Sequence, residues 1–313
     1  MAITVVRRFV SLALGEPLPS PFVGPLINHL VSSPASPRLL KLYVLREHSI
    51  QDFDDEKPPQ LDGDSDAIVG LAFSFVSDNQ HDKFGLHFWF RSSIAPSTAT
   101  RTLAKFLRHA TTGMGPHMLG LRAVEHSHYV AIQDSVTQVL WKDTNGCRLY
   151  LLDAATPVKS LPIGATFNVD GDVYMMDTAV ATDAAPILSL SSIGYGDEYI
   201  VQLLKHPVLS KLMRVVRVVA TKTPVSWALV HHDFSLGLVG TDPAYRRKGL
   251  VRLAFGSTID AYREAIRSGV DGWFGLQPHC FVLSDNYASQ GLMASMGFVH
   301  VQDKEFHWMG VIV

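Results

Sequence analysis

Three cationic side chains and a glycine, Arg246-Arg247-Lys248-Gly249, stand between a short apolar run and a long amphipathic one. The apolar run, 236–240, carries Gly237 and Gly240, which predicts a buried strand that another backbone or a ligand approaches closely. Pro243 breaks it. Beyond the basic turn, Phe255, Ile259, Tyr262 and Ile266 recur at i, i+4, i+7 and i+11, the spacing of one buried helical stripe. A strand, a basic turn with glycine and a helix start together make an anion site. The first amides of a helix have no partner within it, and its dipole favours negative charge there. The spelling is neither that of a P-loop, which ends Gly-Lys-Ser/Thr, nor that of the Gly-x-Gly-x-x-Gly dinucleotide fingerprint. A solvated basic cluster on a surface turn is the rival reading of this stretch taken alone.

The bulk of the chain limits what such a site serves. At 313 residues it is long enough for two domains, and 47% hydrophobic with 18% charged side chains describes a packed globular protein. A net charge of −2 gives no broad basic surface for nucleic acid, so no nucleic-acid partner is expected. No apolar run approaches the roughly 18 residues of a membrane span, and no membrane partner is expected. Two cysteines, Cys147 and Cys280, build no disulfide framework and fit a reducing, cytoplasmic compartment. Arg7 and Arg8 in an acid-free opening, 1–15, leave a mitochondrial presequence as an alternative to an opening strand or helix. No metal is expected either. Asp62, Asp64 and Asp66 resemble a calcium loop, but Ala67 stands where the turn glycine belongs and no glutamate closes it. His279 and Cys280 point to opposite faces of a strand.

The elements that position the basic turn recur. Residues 67–76 and 84–90 read as a hairpin around a polar loop at 77–83, followed by a helix opening at Pro96 and carrying Leu103, Phe106 and Leu107. Residues 225–230 and 235–240 form a second hairpin, followed by the basic turn and its helix. A duplicated unit is one reading of this and chance recurrence of a common unit the other; the first copy lacks the arginine–glycine turn. Between them, 130–169 reads as strands joined by turns. Pro162, Gly164 and Gly171 mark a boundary, giving domains 1–168 and 169–313. Helices are expected at 182–193 and 198–204, and a strand at 273–283 after a stop at Gly269. A last helix follows, capped by Asp285 or Asn286 and stopped at Gly297.

The order Pro-x-Tyr-Arg-x-Lys-Gly-Leu after an apolar strand resembles motif A of the GNAT acyltransferase superfamily. Arg246, Gly249 and Val251 occupy the places of its Arg-x-x-Gly-x-Gly/Ala turn, which wraps the pyrophosphate of coenzyme A. Residues 173–308 further resemble the glycine N-acyltransferase-like branch, whose members carry two GNAT-type halves. Ser226-Trp227-Ala228-Leu229, the Gly249-Leu250-Val251 ending, Asn286-Tyr287-Ala288-Ser289-Gln290 and Ser295-Met296-Gly297-Phe298 carry that likeness. Over the first 170 residues it rests on length and layout. The resemblance implies an α/β (α+β) GNAT fold, a mixed central sheet flanked by helices, in tandem with a degenerate N-terminal half. It implies acyl-CoA as cosubstrate, no metal, and an N-acyltransferase whose acceptor is a small-molecule amine or amino acid. By the same resemblance Leu238, Val239 and Gly240 lie along the pantetheine arm. Arg246, Arg247, Lys248, Gly249, Leu250 and Val251 hold the pyrophosphate, and Asn286 and Ser289 touch the pantetheine or orient the leaving thiolate.

Two positions depart from the pattern. Ser235 stands where the glycine-conjugating enzymes place a glutamate base, and Met293 where many GNAT enzymes place a tyrosine acid. A serine hydroxyl is a poor base unless activated, so another group must take the amine's proton. His231, His232 and Asp233 in the adjacent turn are substitutes, with His279 on the next strand, because imidazole titrates near neutrality. The expected catalytic set is His232, Ser235 and Asn286. O-acylation or another thioester step, and a non-catalytic coenzyme A module, are the alternatives.

Overall fold

A computed structural model describes residues 22, 23, 26, 41–46, 49–53, 68–76, 84–112, 118–143, 145–191, 197–268 and 276–312. The opening at 1–15, the Asp62–Asp64–Asp66 group, the loop at 77–83, Gly269 and residues 273–275 lie outside the described residues. The chain divides into two compact units, one of 1–149, 283–285 and 301–313, the other of 150–282 and 286–300. Residues 150–168 thus fall in the second unit, and 301–313 return to the first.

The first unit contains β1 (Lys41–Arg46), β2 (Ile50–Asp52), β3 (Ile68–Val76), β4 (Phe84–Phe90), α1 (Pro96–Ala110), β5 (Met118–Glu125), α2 (Tyr129–Gln133), β6 (Gln138–Lys142) and the start of β7 (Cys147–Leu151). Residues 129–133 are helical where strands were expected: an apolar run this short does not distinguish the two, and Ala131 and Ile132 are buried side by side on a single turn. Proline at the first helical position starts α1, Arg108 and His109 suit its C-terminal dipole, and the expected Leu103, Phe106 and Leu107 are fully buried. These side chains pack on Tyr43, Leu86, Leu119 and Leu121 of the sheet.

The second unit contains most of what remains: β8 (Thr166–Val169), β9 (Asp172–Thr178), α3 (Ala184–Ser189), α4 (Asp197–Lys205), β10 (Arg214–Val218), β11 (Pro224–Val230), β12 (Leu236–Thr241), α5 (Leu250–Ser268), β13 (His279–Leu283) and α6 (Tyr287–Ser295). The last strand, β14 (Val299–Ile312), starts in the second unit and continues in the first. Five strands of the second unit form an antiparallel sheet in the order β12-β11-β10-β9-β8. The stripe expected on α5 is there, with Phe255, Ile259 and Tyr262 fully buried. A bidentate pair anchors the sheet: Arg217 on β10 donates to both oxygens of Asp183 at 2.7 Å and, through Nε, to Asp177 at 2.7 Å.

In the first unit β2-β1-β3-β4-β5 is continued by β14, which also pairs with β6; β4 and β5 run parallel and the other pairs antiparallel. The β3–β4 ladder keeps one register from Gly70↔Phe90 to Val76↔Phe84. Both units therefore use a hairpin, a helix and a further strand. Among the described residues, no helix is long and apolar enough to cross a membrane.

Candidate active site

The β11–β12 ladder slips by one residue. Trp227 pairs with Gly240 but Leu229 pairs with Gly237, so Leu238 and Val239 together face Ala228. Leu238, one of the two residues at the bulge, has a positive φ of +46°. A bulge takes backbone amides out of the ladder and turns them elsewhere. Among the described residues the strand is also an edge: β12 ends its sheet, and β13, the next strand in sequence, pairs with β7 instead. The bulge leaves strand backbone available to a ligand that runs alongside it. Gly237 and Gly240 are needed for close packing. A Cβ at Gly237 would lie 2.2 Å from His231 Nε2, and one at Gly240 would lie 2.8 Å from the ring of the buried Trp227.

Beyond β12, Asp242 caps a short turn by accepting from the Ala244 amide at 2.9 Å, and Pro243 fixes its first residue. The chain then passes Arg247 at φ +65° and Gly249 at φ +74° into α5. Left-handed residues next to helical ones gather successive N–H groups into an anion-binding hollow. A helix of 19 residues adds its dipole behind it. Arg246 and Arg247 are exposed. Lys248 is committed: its ammonium donates to Asp172 at 2.8 Å and to Tyr174 at 3.1 Å, contacts that raise its pKa. These are features a pyrophosphate fits: amides at a helix start, two exposed guanidinium groups and a glycine in open space, where a Cβ would meet nothing within 4 Å.

At the other end of β12 lies a polar cluster. Asp233 Oδ1 accepts from the Ser235 amide at 2.9 Å and from Ser235 Oγ at 2.5 Å. Burial opposes the charge on Asp233, but His231, His279 and the Ser235 donors outweigh it and hold the carboxyl below its ordinary range. His231 Nδ1 meets the Tyr199 hydroxyl at 2.8 Å. Burial lowers the pKa of both His231 and His279, against the pull of Asp233, so both imidazoles are neutral near pH 7. His279 Nδ1 lies 3.0 Å from the Gln277 carbonyl, which places the ring proton there. Its Nε2 is a buried lone pair with no hydrogen-bond partner among the described residues.

Of the expected catalytic set, His232 lies edge-on to Tyr199, with ring centroids 5.6 Å apart, and 5.8 Å from the ring of His206. Ser235 is buried against Asp233. Asn286 caps α6, its side-chain oxygen accepting from the Ser289 amide at 3.0 Å. Leu250 is buried beneath the start of α5. Met293 is buried. Asp233 and His231, the substitutes named beside that set, bond Ser235 and Tyr199 respectively. The signal for Asp233 was legible: an aspartate two residues before a serine in a hairpin turn is poised to bond the backbone of that serine. Tyr199 carried no signal, because it comes from α4, some thirty positions away.

The first unit repeats the layout without these devices. Its hairpin has no register slip, β4 pairs with β5 at Phe84↔Leu119 through Leu86↔Leu121, and α1 starts after Ala95 with no side-chain cap and no basic turn. Two such units in one chain have the layout of a tandem GNAT fold. Solved structures agree. The chain is similar to a Drosophila protein known from its X-ray structure, at 14% identity and a TM-score of 0.60, with 99% of this chain and 96% of that one covered. It is also similar to a tandem GNAT protein from the clavulanic acid biosynthesis pathway, at 13% identity and a TM-score of 0.53, covering 99% and 95%. At such identities the likeness establishes the fold. No protein-family model matches the sequence, and no curated protein resembles it at significance.

Proposed function

We propose that the second unit is an acyl-CoA-dependent N-acyltransferase acting on a small-molecule amine or amino acid. The observation that carries this is the pairing of a bulged edge strand with an arginine–glycine helix start on the same β12–α5 connection. Pantetheine would run along Leu238, Val239 and Gly240, with the pyrophosphate at Arg246, Arg247 and the amides of 249–251. The thioester carbonyl would then meet the amides freed by the bulge, which stabilise the oxyanion as it forms.

The amine nitrogen attacks the thioester carbon, the C–S bond breaks, and coenzyme A leaves as its thiolate. The amine's proton goes to Ser235 Oγ as the Ser235 proton passes to Asp233, so a serine in place of glutamate still connects to a carboxylate. Neutral His231 and His279 flank that carboxylate, and His232 is the second candidate for the proton. The glycine N-acyltransferase-like motifs support a small acceptor.

Melting temperature measured with coenzyme A, acetyl-CoA, benzoyl-CoA and longer acyl-CoAs tests the cosubstrate. A rise graded by acyl group, lost in Arg246→Ala, supports the assignment; no rise with any of them removes it. The buried Met293 and the absent glutamate favour a second reading, a coenzyme A-binding module without turnover. Binding with no product across an amine panel would establish that one.

A further inference from the structure

The first unit holds a polar cluster that acyl transfer does not use. His126 follows β5, while Glu305 and His307 stand two apart on β14 and so share one face. Their ligating atoms all lie within 4.8 Å of one another. His126 Nδ1 and His307 Nε2 are 3.2 Å apart. Two nitrogens bound to one tetrahedral zinc at 2.0–2.1 Å would be separated by about 3.3 Å. Glu305 Oε2 is 4.0 Å from His307 Nε2, and its side chain, 40% exposed, can close that gap by rotating.

The surroundings orient these groups as a metal would need them. His307 Nδ1 faces the Asp143 carboxylate at 2.8 Å, which keeps the proton on Nδ1 and the lone pair on Nε2. A carboxylate behind a ligating imidazole is the usual outer support of a metal site. Ser284 Oγ donates to Glu305 Oε1 at 3.0 Å, leaving Oε2 toward the histidines. Gly146 makes room for that carboxylate: a Cβ there would lie 2.4 Å from Glu305 Cγ. The competing cation is directed elsewhere, since Lys142 Nζ sits 4.1 Å from the centre of the Tyr129 ring. All three ligands line one open cavity of about 360 Å³, which supplies a fourth position for water.

We propose that His126 Nδ1, His307 Nε2 and Glu305 bind one first-row divalent cation of the zinc, cobalt or iron(II) class. Two imidazoles and one carboxylate suit those ions rather than magnesium or calcium, which prefer oxygen donors. The proposal departs from the metal-free expectation drawn from the sequence, where His126 and His307 are 181 positions apart.

The test titrates the metal-stripped full-length chain with Co²⁺, read by visible absorption, and with Zn²⁺, read by calorimetry and melting temperature. The expected result is one equivalent bound with a tetrahedral or five-coordinate cobalt spectrum, and no response to Mg²⁺ or Ca²⁺. Glu305→Gln and His126→Ala should abolish the spectrum. Asp143→Asn, which leaves every ligand in place, should weaken binding about 10–100-fold. His109→Ala, at an exposed histidine paired with Asp52, should change nothing. Circular dichroism of each metal-free variant checks folding, and Glu305→Gln remains informative if a histidine variant misfolds. Absence of saturable binding near one equivalent, or binding that survives both Glu305→Gln and Asp143→Asn, overturns the proposal.

Discussion

Under the proposed function Arg246 and Asp233 would serve opposite ends of one strand, and each role has its own signature. Arg246 is exposed, so Arg246→Ala should leave the fold intact and weaken coenzyme A binding about 10–100-fold, the loss of one charge-assisted contact to phosphate, measurable by calorimetry. Asp233→Asn keeps the shape but removes the carboxylate proposed to accept the proton. It should lower kcat with little change in KM for acyl-CoA, and Ser235→Ala should lower it further than a hydroxyl's packing would explain. If both variants keep full kcat, the proton leaves by another route, and His232→Ala becomes the informative change. Gly237→Ala sets a methyl group against His231 Nε2 and should cost about 1–3 kcal/mol in a denaturant titration. At this scale the sequence was most legible where backbone chemistry dictates residue type. Gly249 is favoured by a positive φ, φ +74°. It was least legible for side chains that meet across the fold, such as Tyr199 with His231 and His126 with His307, because spacing along the chain holds no record of those contacts.

Elements of the second unit are held by one buried charge network, and that makes a sharper prediction than its apolar core. Arg217→Met would leave Asp183 buried without its bidentate partner, costing about 3–5 kcal/mol. A loss well under 1 kcal/mol in urea would mean that water replaces the guanidinium. The hairpin–helix periodicities gave the element order in both halves, and β11, β12 and α5 lie within a residue or two of where the pattern puts them. The bulge was not visible, since Leu238 is an ordinary apolar residue and only its pairing shows that one residue is extra. Residues 182–193 read as one helix; the structure has a short turn at Ala181–Asp183 and then α3, because Asp183 bonds the Val180 amide and turns to Arg217.

On the scale of the whole molecule, stability should be lost toward acid. His206, His231 and His279 all have pKa values lowered by burial in the folded protein. In the unfolded chain they titrate near pH 6.5. The unfolded state therefore binds more protons, so their contribution is complete above that pH and fades as the pH falls below it. Asp233 acts in the same direction at lower pH, its carboxyl being held below its ordinary range. The melting temperature should fall between about pH 7.5 and 5.5. A constant value over that interval would show that these imidazoles can be protonated in place.

The path of β14 carries a consequence for the order in which the protein is made. Residues 306–312 pair with β5 and β6, yet they leave the ribosome after every other described segment. The first unit to be translated is thus the last able to close its sheet, and its nascent strands must wait with an open edge while the second unit is synthesised. Such edges invite mispairing. A fragment ending at residue 149 should lack a cooperative melt, and adding a peptide of residues 299–312 should restore one.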